Sequence, residues 1–127
     1  MKVAIQGIKG SFHHIVAEQY FGKNIELLEC LSFSEMPELL YNKTAEVVIM
    51  AIENSIAGAI LPNYALIDEH ELTICGEHHL EIHHNLMGLK GQSIEDLKEV
   101  YSHPMALLQC HKFFKQYPHI KLIEDKD

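Results

Sequence analysis

Val47-Val48-Ile49-Met50-Ala51-Ile52 is the stretch that most narrows what this chain can become. An unbroken apolar, largely β-branched run of this length suits a strand covered on both faces, as in a parallel sheet flanked by helices. It ends abruptly in Glu53-Asn54-Ser55, followed by Gly58. In open α/β sheets the ligand crevice lies beyond the carboxyl ends of the strands, where those polar residues would emerge. Taken alone, the stretch reads as a strand followed by an Asn-Ser turn.

The flanking sequence supplies the companions that a parallel sheet needs. Lys2 to Gln6 reads as a strand closed by Gly7-Ile8-Lys9-Gly10. Ser11 then caps a helix expected to bury Ile15, Val16, Tyr20 and Phe21 before Gly22 stops it. Strand, glycine turn and helix together aim backbone N–H groups and a helix dipole at an anion. The turn is neither G-x-G-x-x-G nor a P-loop, so nucleotide binding is not supported. Ile25 to Leu31 gives a second strand, and Ser32-Phe33-Ser34-Glu35 has capping-box spacing before a short helix with Met36, Leu39 and Leu40 inward. After the apolar run, which is expected to be the central strand, Asn63 to His70 forms another short helix. The βαβαβα order predicts a parallel sheet with right-handed crossovers.

From Glu71 to Leu89 the pattern changes. Leu72, Ile74, Leu80, Ile82 and Leu86 share one parity, with Glu77, His79, Glu81 and His83 on the other, as in a long half-buried strand. Such a strand would link two sheets, with a hinge near Gly76-Glu77 dividing a first lobe, 1–76, from a second, 77–127. In the second lobe Ser93 to Leu97 is a capped helical turn, and Glu99 to Ser102 a strand. His103-Pro104 opens a helix with Leu107, Cys110, Phe113 or Phe114, and Tyr117 inward, and His119 to Glu124 is a last strand.

Composition limits the chemistry. The net charge of −8 argues against nucleic-acid or anionic-membrane partners. All ten basic residues are lysines, so a carboxylate ligand must be held by lysine, hydroxyl, amide or backbone N–H groups. Cys30, Cys75 and Cys110 form no C-x-x-C pair and are expected as reduced, mostly buried thiols. The apolar stretch at Met1–Gly7 is too short for a signal peptide and no run reaches membrane-spanning length, so the expectation is a cytoplasmic protein. The histidine-bearing face Glu77, His79, Glu81, His83 could ligate a metal, but without H-E-x-x-H or C-x-x-C it reads as a solvated strand face, and no metal site is assigned. His78 and His84, in phase with the apolar face, read as core or hinge histidines. With no G-x-S-x-G, and Cys110 on a packing stripe, covalent catalysis is not supported.

Three strand-end segments remain, Gly7–Phe12, Glu53–Gly58 and Ser102–Cys110, which together would line a polar, anion-tolerant cleft. The series G-x-x-G-S-F, then E-N-S-x-x-G, then Leu72-Thr73-Ile74-Cys75-Gly76-Glu77 with His84-Asn85-Leu86, then S-H-P-x-A-L-x-Q-C, resembles prephenate dehydratase in order and spacing over essentially the whole chain. The resemblance implies a type II periplasmic-binding-protein-like α/β fold with two lobes of largely parallel sheet flanked by helices, the second incomplete. It implies decarboxylative dehydration of prephenate to phenylpyruvate in L-phenylalanine biosynthesis, with no cofactor. The substrate-binding residues it implies are Gly10, Ser11, Phe12, Asn54, Ser55, Ile56, His103, Pro104 and Gln109, with Glu53 and Gly58 supporting the site.

The sequence departs from the family at His13-His14 and at Met105. The family's Thr-Arg-Phe-type motif, which carries the catalytic threonine, is not in this arginine-free sequence and is expected beyond Asp127; the family's ACT regulatory domain is not in this sequence either. The expectation is therefore weak prephenate binding, little turnover, and a homo-oligomer formed through the open edge or apolar surface of an incomplete lobe. The competing readings are a non-catalytic small-anion binding module of the same fold, and a zinc-binding or oligomerisation module built on the histidine-rich strand.

Overall fold

A computed structural model describes residues 1–125, which divide into two compact units, Met1–Ile82 and a second that begins at His83. In the first, β1 (Lys2–Gln6) lies between β2 (Glu26–Cys30) and β3 (Val47–Ile49), parallel to both. Val3 and Ile5 point to the face covered by helix α1 (Phe12–Phe21), where they pack with Ala17. Ala4 points to the opposite face, against Met36 of helix α2 (Met36–Tyr41), Cys30 and Ala45. Covered on both faces and paired on both edges, Val3, Ala4 and Ile5 have no accessible surface.

The apolar run is thus not the central strand. Only Val47–Ile49 is hydrogen-bonded as β3, all three residues are half-buried, and β1 is the only strand paired with it among the described residues. An apolar run signals burial but not its neighbours, and β1 takes the centre because both crossovers return beside it.

Local signals hold elsewhere. Ser11 caps α1 by accepting the His14 N–H, and Gly22 ends it at φ 84°. Ser32 and Glu35 close a capping box over the 3-10 turn Phe33–Glu35, ahead of α2. The buried residues of α1 are His14 and Ala17, however, while Ile15 and Tyr20 are exposed. The contact stripe runs through the residues facing β1, and a helix three turns long has only one such stripe.

After β3 the chain forms a small antiparallel hairpin, β4 (Glu53–Asn54) with β5 (Gly58–Ala59). It then enters helix α3 (Leu61–Glu69), whose Pro62 fits the first turn. The long strand expected over Glu71–Leu89 is not formed, and residues 73–89 have no regular secondary structure. Alternation alone supplies amphipathic side chains, and a strand also needs a ladder partner. Part of this segment is anchored by side chains instead. His78 Nε2 lies 2.8 Å from Gln19 Oε1, and Gly76 passes so close to the Tyr20 hydroxyl that a side chain at 76 would collide with it.

The second unit is a βαβ arrangement. Ser93 and Asp96 form a capping box over a 3-10 turn, and the two hydrogen bonds from Ser93 hold the Asp96 carboxyl below its usual pKa. Strand β6 (Glu99–Ser102) pairs in parallel with β7 (Lys121–Glu124) across helix α4 (Pro104–Phe114). Leu107, Phe114 and Ile120 form its buried centre. No helix among the described residues is long and apolar enough to cross a membrane.

The three thiols are free, but only Cys30 is buried; Cys110 is half-buried and Cys75 exposed. Burial and the Glu35 carboxylate both push the Cys30 thiol pKa up. A disulfide reagent at mildly alkaline pH should therefore modify Cys75 first, Cys110 more slowly, and Cys30 only on unfolding. Mass mapping of the labelled peptides checks that order, and early labelling of Cys30 would contradict the packing of α2.

Candidate functional site

Because β1 and β3 are hydrogen-bonded parallel neighbours, with Ile5 opposite Ile49, the segments that follow them leave the same end of the sheet side by side. The order β2-β1-β3 reverses direction at β1, and such switch points are where open α/β sheets form crevices. Gly10, Ser11 and Phe12 follow β1, and Glu53, Asn54, Ser55, Ile56 and Gly58 follow β3.

The first turn is closely tied. Gly7, at φ 96°, donates its N–H to the Cys30 carbonyl at 2.9 Å, and a Cβ there would sit 3.3 Å from that of Ser11. The Lys9 N–H donates to Glu29 Oε1 at 2.7 Å and the Ser11 N–H to the Ile8 carbonyl at 3.0 Å. Gly10, expected as an open anion donor, gives its N–H to His14 Nδ1 at 3.0 Å. The expected cradle of backbone N–H groups is thus largely satisfied within the protein. His14 was not foreseen, since its role depends on the turn folding back on the helix.

His13 packs edge-on against Phe33 with ring centroids 5.3 Å apart, and its Nε2 is buried without a hydrogen-bond partner. Desolvation lowers its pKa, outweighing a hydrogen bond to the Gln6 backbone that raises it. The unfolded chain therefore takes up this proton first as pH falls below about 6.5, so stability is lost on acidification through that range and the term vanishes above it. His13→Phe, which keeps the ring contact, should flatten the slope of unfolding free energy between about pH 7 and 5. Parallel urea titrations of both proteins measure it.

The second turn is organised by one amide. Asn54 Oδ1 accepts the N–H groups of Ile56 at 2.9 Å and Ala57 at 3.1 Å, and Gly58 turns at φ 77°. The Asn54 Nδ2 group is left without a partner among the described residues. Below the hairpin, buried Asn63 donates from Nδ2 to the Ala51 carbonyl at 2.7 Å, joining α3 to the strand exit. Asn63 was missed as a support residue; its place in the first turn of a helix rimmed by apolar residues was the available signal. Glu53, expected to organise the turn, does so only through its backbone pairing with Ala59, and its exposed carboxylate makes no hydrogen bond among the described residues.

In the second unit His103 caps α4, with Nδ1 accepting the Met105 N–H at 3.2 Å, and Pro104 follows at the first helical position. Gln109 Oε1 is paired with His84 Nε2, which gives that histidine a polar partner rather than a core environment. Pro104, Leu107, Leu108 and Leu122 line a largely apolar groove of about 430 Å³ that includes neither His103 nor Gln109. No group of three His, Cys, Asp or Glu among the described residues is arranged to hold a metal ion.

The family model for prephenate dehydratase matches residues 3–127. The chain belongs to the prephenate dehydratase family. It is 35% identical over 119 residues to the bifunctional chorismate mutase/prephenate dehydratase of Buchnera aphidicola from Schizaphis graminum, a match covering 91% of this chain and 31% of that one. It is 40% identical over 110 residues to arogenate dehydratase 2 of Petunia hybrida, covering 87% and 28%. The prephenate dehydratase structure from Staphylococcus aureus superposes on all of this chain and 48% of its own, with TM-score 0.81 and 26% identity. The fold is accordingly the type II periplasmic-binding-protein-like α/β fold of prephenate dehydratases. The chain spans about a third of the length of the curated relatives it matches.

Proposed function

We propose that this chain supplies prephenate-binding elements of a cytoplasmic prephenate dehydratase, a carbon–oxygen lyase of L-phenylalanine biosynthesis. Prephenate carries two carboxylates and a ring hydroxyl. Protonation lets the hydroxyl leave as water, the bond to the ring carboxylate breaks to release carbon dioxide, and that electron pair aromatises the ring to give phenylpyruvate. The reaction needs fixed anions and a proton donor, with no cofactor. With no arginine in these 127 residues, the Thr-Arg-Phe-type motif is not among them, and the proton donor is assigned to polypeptide outside them. Residues 1–76 act as the first lobe and 77–127 as part of the second.

The observation that carries this reading is the Asn54 turn. Its carbonyl oxygen fixes two backbone amides while its Nδ2 group remains available for a substrate oxygen, beside the turn that follows β1. Ser11, Phe12, Ser55 and Ile56 are the further substrate contacts proposed in this unit, and His103, Pro104 and Gln109 are those proposed in the second unit taken by itself. The β3 edge, unpaired among the described residues, is the feature that favours assembly as a homo-oligomer.

Asn54→Asp tests the reading, because aspartate keeps the acceptor for both amides but replaces the donor with a carboxylate. Calorimetric titration with prephenate should show saturable binding that weakens at least about tenfold in Asn54→Asp, with an unchanged circular dichroism spectrum. Equal binding by the two proteins refutes the assignment. Phenylpyruvate formation by the isolated chain at about 1 s⁻¹ or faster refutes the placement of the proton donor.

A further inference from the structure

Building on that reading, we propose that His14 is a positioning residue of the prephenate site, fixing Gly10 and making the Ser11 hydroxyl the donor that this turn offers to ligand. His14 is 8% exposed and sits at the third position of α1. Its ring Nδ1 accepts the Gly10 N–H at 3.0 Å, and its backbone N–H donates to Ser11 Oγ at 3.3 Å. Its Nε2 lies 3.5 Å from Glu18 Oε1, one helical turn onward.

These contacts fix the roles of the atoms. A backbone N–H can only donate, so Nδ1 must be unprotonated, and the neutral ring carries its hydrogen on Nε2, facing the Glu18 carboxylate. Gly10 has φ 97° and no atom within 4 Å of where a Cβ would stand, so side-chain packing does not hold it. Glycine has the widest backbone freedom of any residue, and the bond to His14 removes much of that freedom here. Ser11 Oγ already accepts the His14 N–H, which leaves its O–H to donate elsewhere. One residue therefore withdraws the Gly10 N–H from ligand binding and orients the neighbouring hydroxyl. The carboxylate four residues on selects the tautomer that does so.

The test uses isotope-labelled protein at neutral pH and three variants. His14→Leu removes the δ1 acceptor, His14→Asn keeps an acceptor oxygen at the same branch, and Glu18→Gln alters the ring's other partner. Long-range proton–nitrogen spectra should show His14 protonated at Nε2 alone. The Gly10 amide should exchange about tenfold faster in His14→Leu and be protected again in His14→Asn. Prephenate should bind about tenfold more weakly to His14→Leu and within about threefold of the parent in His14→Asn. A proton on Nδ1, or unchanged Gly10 exchange in His14→Leu, overturns the inference, as does binding by that variant equal to the parent's. If the parent protein binds no prephenate, the functional reading fails, while the tautomer and Gly10 exchange still decide the role of His14. Should His14→Leu not fold, the tautomer in the parent and in Glu18→Gln decides, because glutamine keeps an acceptor oxygen for the Nε2–H: hydrogen on Nε2 alone in both supports the inference, and a proton on Nδ1 in either overturns it.

Discussion

Replacing Ile5 with alanine is expected to cost about 3 kcal/mol of unfolding free energy, a large share of the 5–15 kcal/mol typical of a domain. Ile5 has no accessible surface and packs with Val3 and Ala17 under α1. Truncation there removes transfer free energy and leaves a void that neither β2 nor β3 can close, because both are held in register with β1. Ile8, three residues on and 67% exposed, is the control, and its alanine variant should lie within about 0.5 kcal/mol of the parent. Urea unfolding with an unchanged slope measures both. Equal effects would mean that β1 is not the central strand.

Asn63→Leu is expected to destabilise the protein by about 2 kcal/mol despite being a similar-sized and more apolar residue. Asn63 is 3% exposed, and its Nδ2 group is the donor to the Ala51 carbonyl. Leucine would leave that half-buried carbonyl without its side-chain donor, just before the Asn54 hairpin. The loss should also weaken prephenate binding, since Ala51 and the Ile52–Ile60 hydrogen bond form the base of the turn. Denaturation and calorimetry on the same variant separate the two effects. An unchanged midpoint would show that the Ala51 carbonyl finds another partner.

How far the sequence foretold this structure depended on the range of the interactions concerned. Ser11 and Gly22 bound α1, the Ser32–Glu35 and Ser93–Asp96 boxes open their turns, and Pro104 starts α4. Each of these signals is read within a few residues, so each was legible. The identity of the central strand was not, because Val47–Ile52 and Val3–Ile5 are both apolar and only tertiary pairing distinguishes them. The alternation over Glu71–Leu89 misled for the same reason, since the pattern carries no information about whether a ladder partner exists. At the site, the Asn54 turn was readable from Asn-Ser and a following glycine. The bonds from His14 to Gly10 and from Asn63 to Ala51 were not, because they join side chains to backbone brought near by folding.

The parallel register of the first unit also bears on the order of events during synthesis. Lys2 pairs with Glu26 and Val3 with Val47, so no sheet contact in β1 comes from a local hairpin. Non-local pairings of this kind close large loops before they gain any contact energy, and they slow folding. As the ribosome extends the chain, β1 emerges ahead of both neighbours and keeps an uncovered apolar edge until Val47–Ile49 has been made. The strand most protected in the finished protein is the one longest exposed to aggregation and chaperone capture in the nascent one.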